Sequence, residues 1–178
     1  MLELCNVKIS SDLSYIYQVM CNYEQQCLFS KSQTIRFFED FERIFIDELR
    51  SFYHLFKVVK NEKKEIIGFV YSYNYRETDG HCSIVTYVDE RYQATGAGIE
   101  ASMMFIKMLF KQYPLRKIYT QVYEYNEQSL ICNQKAGFQE EGCYKEYRFH
   151  NGEYWDMHIL SMTRDAFLCK YERYLYDK

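Results

Sequence analysis

Three strand-like runs follow one another with little between them: "YHLFKVVK" (53–60), "IIGFVYSYNY" (66–75) and "HCSIVTYV" (81–88). Their connectors, "NEKKE" and "ETDG", are turn-forming and too short for a crossover helix, so the runs read as antiparallel hairpin neighbours. β-branched and aromatic residues fill them, as a pleated and half-buried surface requires. This central block points to a mixed sheet rather than a succession of parallel βαβ units.

Helical periodicity brackets the block. Leu2, Leu4, Val7 and Ile9 alternate as a first strand, and Asp12 is positioned to cap a helix running to about Asn22, with Leu13, Ile16, Tyr17 and Met20 on one face. Ile35, Phe38, Phe41, Phe45, Ile46 and Leu49 recur at three- and four-residue spacing and predict a helix over 35–49. After the third strand, "IEASMMFIKMLFKQY" (99–113) is helical in pattern, and Pro114 bars its continuation. "KIYTQVYEY" reads as a strand, "NEQSLICNQKAGF" as a short helix closed by Gly137, and "FQEEGCYKEYRF" with "YWDMHILSMTR" as two strands joined at the hairpin turn "HNGE". The expected fold class is α/β: a mixed, mostly antiparallel central sheet of about seven strands flanked by about four helices. The final "AFLCKYERYLYDK" is left open between a helix or strand packed on the body and a homodimer contact.

Length and composition agree with one globular domain over 1–178, with 48% apolar and 19% aromatic residues, and neither repeats nor low-complexity tracts. The formal charge of −3 disfavours nucleic acid, whose affinity depends on neutralising phosphates. No apolar run approaches the roughly 18 residues of a membrane span, and the N-terminus lacks the pattern of a signal peptide. Seven scattered cysteines form no C-x-x-C pair; they suggest neither a metal site nor a disulfide framework, and they fit a reducing cytoplasm.

Two of the seven glycines lie in "DERYQATGAG" (89–98), where the third strand gives way to a helix. Bare backbone there lets N–H groups converge, and a helix N-terminus adds about half a positive charge, so the junction can cradle an anion such as a pyrophosphate. A plain strand-to-helix turn is the simpler reading of the glycines alone. The Gly-Lys-Ser/Thr of a Walker loop is missing, and the surroundings are not those of a dinucleotide fold.

Gln93-x-x-Gly96-x-Gly98 resembles the Q/R-x-x-G-x-G/A signature of the GNAT N-acetyltransferase superfamily. "YNEQSLICNQKAGFQEEG" resembles that family's second signature, and "FHNGEYWD" is similar to the C-terminal hairpin of its ribosomal-protein and spermidine N-acetyltransferase branch. The resemblance implies a GNAT-like acyl-CoA N-acyltransferase fold and acetyl-CoA as co-substrate, with no metal. It implies pyrophosphate held by Gln93, Ala94, Thr95, Gly96, Ala97 and Gly98. It implies pantetheine laid along the backbone of Tyr87, Val88 and Asp89, like an added strand between splayed strand ends. Asn126 then corresponds to an Asn on the cofactor arm; as a residue opening a helix, it is equally an N-cap.

The implied reaction is direct attack of an amine on a thioester. An alkylamine with a pKa near 10 is mostly protonated at neutral pH, so a base must remove a proton. A backbone N–H near Val88 would serve the developing oxyanion. Many family members place a Tyr seven residues after the strand-end Asn as general acid; here that position is Asn133, whose amide donates a hydrogen bond but does not readily supply a proton. Cys132, Tyr87, Tyr123 and Tyr125 are other candidates near that role; otherwise the leaving group takes its proton from water or the amine. The general base is open among His81, Asp89 and Glu90, while His150, Glu140 and Glu141 read as solvated. The acceptor pocket is expected from the segment Tyr15 to Phe52 and the C-terminal hairpin. Phe29, Phe37, Phe38, Phe41, Phe52 and Tyr53 are mostly core there, and Glu24, Glu39 or Asp40 could meet a cationic amine. The function expected is acetylation of a primary amine of a small metabolite (polyamine, aminosugar or antibiotic). The alternatives are acetylation of a protein N-terminus and a non-catalytic acyl-CoA-binding or interaction module.

Overall fold

The structure, a computed structural model, describes residues 1–22, 27, 28, 35, 37–93 and 95–176, the last five as backbone only. The elements run β1 (Glu3–Asn6), α1 (Ile9–Met20), α2 (Phe38–Ser51), β2 (Tyr53–Lys60), β3 (Ile66–Arg76), β4 (His81–Val88), α3 (Glu90–Gln93), α4 (Ala97–Gln112), β5 (Lys117–Tyr123), α5 (Glu127–Ala136), β6 (Gln139–His150), β7 (Glu153–Thr163) and α6 (Arg164–Tyr176). Seven strands form one mixed sheet in the order β1-β2-β3-β4-β5-β7-β6. β4 and β5 pair in parallel, which the sixteen-residue crossover helix α4 makes possible, and β1–β2, β2–β3, β5–β7 and β7–β6 pair antiparallel. The mostly antiparallel mixed sheet is the expected one. Six helices stand among the described residues where four were expected; the additions are the single turn α3 and the C-terminal α6.

Several boundaries differ from the sequence reading for local reasons. Ile9 opens α1 instead of ending the first strand, and Lys8 is the N-cap residue. Asp12 lies one turn inside the helix, where its carboxylate accepts the Lys8 N–H at 2.8 Å and the Ser11 hydroxyl at 2.8 Å. It therefore satisfies an orphan N–H by reaching back, much as the acidic partner of a capping box does. Helix α2 starts at Phe38, three residues later than the periodicity suggests, and α4 starts two residues earlier, at Ala97.

The chain divides into two compact units, Met1–Asn74 with Ile84–Phe105, and Tyr75–Ser83 with Ile106–Lys178. The first is built on aromatic packing. Leu13 and Ile16 of α1 and Phe41 and Phe45 of α2 are buried against Phe56 and Val58 of β2, Phe69 and Tyr71 of β3 and Tyr87 of β4. Phe45 meets Phe56 edge-on at 5.2 Å, Phe56 stacks on Tyr71 at 5.4 Å and Phe69 stacks on Tyr87 at 5.3 Å. Such pairs add about 1 kcal/mol each to the area term. Phe41 and Tyr53 are thus core, and Phe38 and Phe52 pack against it, while Phe37 is 66% exposed. Phe29 and Glu24 lie outside the described residues. Asp40 is engaged by Arg43 on the exposed side of α2 at 3.1 Å.

The second unit buries Ile106, Leu109, Phe110, Leu115, Ile118, Val122, Phe138, Leu160, Met162 and Phe167. Its β6–β7 hairpin turns at Asn151 (φ 51°) and Gly152 (φ 87°), the positive pair that a two-residue hairpin of matching twist needs. The C-terminal segment is helical: Phe167 packs on Phe110 at 5.6 Å, and the Tyr171 hydroxyl donates to Ala136 O at 2.8 Å. Arg164, at the start of α6, closes the far end of α4. Its guanidinium donates to Phe110 O (2.6 Å), Tyr113 O (2.9 Å) and Leu115 O (2.8 Å). The first two lie at the C-terminal end of α4, where the last carbonyls lack partners within the helix, at the negative pole of its dipole, and Leu115 lies three residues beyond it. Arg164→Leu leaves them unsatisfied and is expected to cost about 3 kcal/mol of stability, read as a fall in urea midpoint at unchanged m-value.

Candidate functional site

The segment from Tyr87 to Gly98 lies in the first unit, and the protein holds it from several sides. Asp89 donates its N–H to Ile67 O at 2.8 Å and accepts the Tyr92 N–H at 2.8 Å, which fixes the chain as it leaves β4. The Gln93 amide donates to Val88 O at 3.2 Å, tying the loop back to the strand end. Thr95 donates its hydroxyl to Tyr92 O at 2.6 Å and accepts the Ala97 N–H at 3.4 Å. One turn further on, the Ser102 hydroxyl bonds to Thr86 Oγ1 at 2.8 Å and anchors α4 on β4. Ala94 lies outside the described residues.

The two glycines serve different ends. Gly96 has φ 84°, a left-handed conformation that a side chain makes costly, and it forms the corner into α4. Gly98 has no such need, and among the described residues a Cβ there would meet only Val88 Cγ2, at 4.0 Å. Among the described residues nothing requires Gly98 to lack a side chain, yet the open space lies over the first turn of a sixteen-residue helix. Within that turn the N–H groups of Gly98 and Ile99 have no carbonyl four residues earlier in the helix. Open space beside unpaired donors at a helix's positive end fits a pyrophosphate.

One side-chain contact in this region has no signal in the sequence, because its partners are 74 residues apart: the Tyr15 hydroxyl of α1 donates to Asp89 Oδ1 at 2.6 Å. Burial, then the Asp89 carboxylate, raises the Tyr15 hydroxyl far above the ordinary phenol range. Tyr87, on the same strand end, is pushed up to about 12 by burial and by the charges of Asp89 and Glu90. Both tyrosines are therefore neutral hydrogen-bond donors at physiological pH.

Residues named from the second signature lie in the second unit. Asn126 is the N-cap of α5, its side chain accepting the Ser129 N–H at 3.3 Å, and Gly137 closes that helix with φ 102°. Asn126→Ala is expected to lower stability by about 1 kcal/mol through the cap alone, measured by thermal unfolding. The Asn133 side-chain N–H groups, in the amide orientation that satisfies both, go to Ser129 O (2.8 Å) and Ser129 Oγ (3.3 Å) of their own helix. Cys132 is half-buried beside it. Tyr123 is buried and stacks on Tyr125 at 5.4 Å; Tyr125 in turn covers the ring of His150 at 4.5 Å, so His150 is half-buried rather than solvated. Glu141 is likewise engaged, by Lys117 and Ser161, which hold its carboxyl below the usual carboxylate range. His81 stands at the opposite end of β4 from Asp89, its ring edge-on to Tyr119 at 5.4 Å.

A family model described as an acetyltransferase (GNAT) domain matches residues 9–159. The chain belongs to the GNAT acetyltransferase family. A curated relative, the SPbeta prophage-derived uncharacterized N-acetyltransferase YokL of Bacillus subtilis (strain 168), is 28% identical over 102 residues, covering 57% of this chain and 58% of that protein. The chain thus matches somewhat over half the length of that relative. Among solved structures, the spermidine N-acetyltransferase of Vibrio cholerae in complex with CoA and spermine superposes with a TM-score of 0.84 at 21% identity, covering 94% of this chain and 98% of that one. Mutant forms of the spermidine/spermine N-acetyltransferase from the same organism superpose with a TM-score of 0.80 at 21% identity, covering 96% and 99%. These likenesses establish the GNAT fold. None of the described helices is long and apolar enough to cross a membrane.

Proposed function

We propose that this chain acts as one acetyltransferase domain, moving an acetyl group from acetyl-CoA to a primary amine of a small metabolite. The observation that carries the reading is the junction of β4 with α4: a glycine corner at Gly96, and at Gly98 a backbone left bare over helix N–H groups where the fold itself does not demand it. Membership in the GNAT family supports the same assignment. When bound, acetyl-CoA supplies the thioester whose acyl carbon the amine attacks.

The residues of the chain have the following parts. Gly98 and Ile99 offer first-turn backbone donors to the pyrophosphate, and Thr95, which holds the Ala97 N–H, steadies the corner at Gly96. Gln93 keeps the loop on the strand end by its bond to Val88 O. Asp89 has its N–H committed to Ile67 and Val88 its carbonyl to Gln93, so neither of these two groups is offered to pantetheine. Asn133 spends its donors inside α5, so its side chain has no N–H left to offer a departing sulfur. Accordingly, Asn133→Ala is expected to change kcat by less than about threefold, well short of the 100-fold or more typical for loss of a general acid. A loss of about 100-fold at unchanged acetyl-CoA affinity would restore Asn133 to a direct role.

The test begins with thermal shift. Acetyl-CoA and free CoA are expected to raise the melting temperature saturably, and NAD and ATP are not. Thiol release is then followed with spermidine, glucosamine and a short peptide bearing a free N-terminus. Polyamines come first because the structurally similar Vibrio cholerae enzyme is in complex with spermine. Absence of any shift with acetyl-CoA and CoA would end this reading.

A further inference from the structure

Arg148, in β6, lies within the second unit, and its place follows from an irregularity in the β6–β7 pairing. Tyr144 pairs with Met157 and Arg148 with Trp155, so Lys145, Glu146 and Tyr147 face the single residue Asp156. Glu146 takes φ 48° in this bulge. Asp156 holds it there: its carboxylate accepts the Glu146 N–H at 2.9 Å and the Lys145 ammonium at 2.6 Å. Continued without the bulge, the Tyr144–Met157 register would set Arg148 opposite Glu153, a ready ion-pair partner. With it, Arg148 stands opposite Trp155. Bulges re-aim side chains in this way and are over-represented beside functional sites.

Directly paired residues of neighbouring strands share a face, which puts Arg148, Trp155, Met157 and Tyr123 together. The Arg148 guanidinium carbon lies 5.4 Å from the centroid of the Tyr123 ring. Tyr123 stacks on Tyr125, which meets Trp155 edge-on at 5.8 Å. A half-buried cation thus stands on an aromatic floor. Such a contact attracts the guanidinium without neutralising it. Among the described residues Arg148 has no carboxylate partner. The acidic groups of its hairpin are spent elsewhere, Glu140 on His158, Glu141 on Lys117 and Asp156 on Lys145, or are exposed, as Glu146 and Glu153 are. The planar fork of guanidinium N–H donors matches the oxygens of a carboxylate or a phosphate.

We propose that the Arg148 guanidinium, laid over Tyr123, is an anion subsite that receives the carboxylate or phosphate of the acceptor amine. The inference rests on the acetyltransferase reading above and narrows its substrate class to small amines that also carry an anionic group. The Tyr123 carbonyl accepts the Asn126 N–H at 2.9 Å, so the aromatic floor is joined directly to the residue that the family resemblance sets on the cofactor arm. A polycation would bring positive charge against a guanidinium that no carboxylate compensates, and such like-charge contact excludes partners. The fork would also match a phosphate of CoA itself, a second source of the same chemistry that the experiment separates from the acceptor.

The experiment compares wild type, Arg148→Met and Arg148→Lys. Methionine keeps an unbranched stem over Tyr123 and removes the charge; lysine keeps the charge and loses the fork. Acetyl-CoA affinity is read by calorimetry. Thiol release gives kcat/KM for two matched pairs, phenylalanine against phenylalanine amide and glucosamine 6-phosphate against glucosamine, and for spermidine. In wild type the anionic member of at least one pair is expected to exceed its neutral counterpart by about 10- to 100-fold, with spermidine below it. The pair that shows the preference tells carboxylate from phosphate. Arg148→Met should bring that ratio to about one, chiefly by raising KM for the anionic member, and Arg148→Lys should fall between. Both variants should bind acetyl-CoA within about twofold of wild type. An Arg148→Met protein that melts lower but keeps the anionic preference shows a packing role alone and overturns the proposal. A loss of acetyl-CoA affinity of about tenfold or more in that variant assigns the guanidinium to a cofactor phosphate and overturns it too. Wild type that binds acetyl-CoA yet prefers the anionic member of neither pair overturns the inference and leaves the cofactor assignment standing. Wild type that fails to bind acetyl-CoA removes both.

Discussion

Gly98→Val is expected to abolish acetyl-CoA binding while leaving the protein as stable as wild type. Among the described residues a Cβ at this position meets nothing nearer than Val88 Cγ2 at 4.0 Å, and the backbone is not in the left-handed region, so the fold accepts a side chain here. Valine is also a slightly better helix former than glycine, by about 0.3 kcal/mol, and stability should stay within about 0.5 kcal/mol of wild type. Helical Cα–Cβ bonds tilt toward the N-terminus, so the branched side chain would lie over the first-turn N–H groups that the pyrophosphate needs. Saturating acetyl-CoA at about 100 times its Kd stabilises wild type by roughly 2.7 kcal/mol, a shift of about 5–10 °C for a chain of this size. That shift should vanish in the variant, corresponding to an affinity loss of about 100-fold or more. Gly96→Val makes a useful contrast: it also removes binding, but its positive φ of 84° adds about 1–3 kcal/mol of strain, so its melting temperature falls even without ligand. A Gly98→Val protein that keeps the full acetyl-CoA shift would show that the α4 N-terminus does not hold the cofactor.

Gly68→Ala is expected to be among the most damaging single-methyl changes in the molecule. A Cβ at Gly68 would stand 2.1 Å from Tyr87 O, 3.0 Å from Val88 Cα and 3.1 Å from Tyr87 C. All three obstacles are backbone, and no rotamer change relieves them. Strand β4 would have to move away from β3 at the very residues that lead into the cofactor loop. Overpacking against flexible side chains costs about 1–3 kcal/mol, and a rigid strand should put this variant at or above the top of that range. Urea unfolding should show a loss of about 3 kcal/mol or more, and whatever folded protein remains should bind acetyl-CoA weakly because Val88 and Asp89 are displaced. Unchanged stability would mean that β3 and β4 approach less closely at this point than the structure has them.

Much of the fold could be read from local pattern. The bounds of β2 and β4 agree with the sequence reading residue for residue, because alternation or β-branched runs end there against unmistakable turns. The α5 helix, with Asn126 before it and Gly137 after it, is likewise a matter of local chemistry: an amide that caps N–H groups and a residue free to adopt φ 102°. The bare backbone between β4 and α4 was legible for the same reason, since the role we propose for it resides in main-chain atoms that a few consecutive residues expose. The start of α4 was read two residues late, because Ala97 and Gly98 carry no large apolar side chain to mark the helix. Asp12 was mistaken for a cap since an acidic residue near a helix start satisfies N–H groups either from the cap position or from one turn inside.

What the sequence by itself determined, then, is the order of elements, the mixed sheet and the bare backbone between β4 and α4, each encoded in periodicity or in residues near one another in the chain. Only the tertiary structure decided that Gly68 is a point of backbone contact and not an ordinary strand residue. It also decided that Arg164 caps a helix ending more than fifty residues earlier, and that Tyr15 holds Asp89 across 74 residues. The physical reason is common to all three. Each depends on a close approach between segments remote in sequence, and such approaches are set by how the sheet and its helices pack, which no local window of residues specifies.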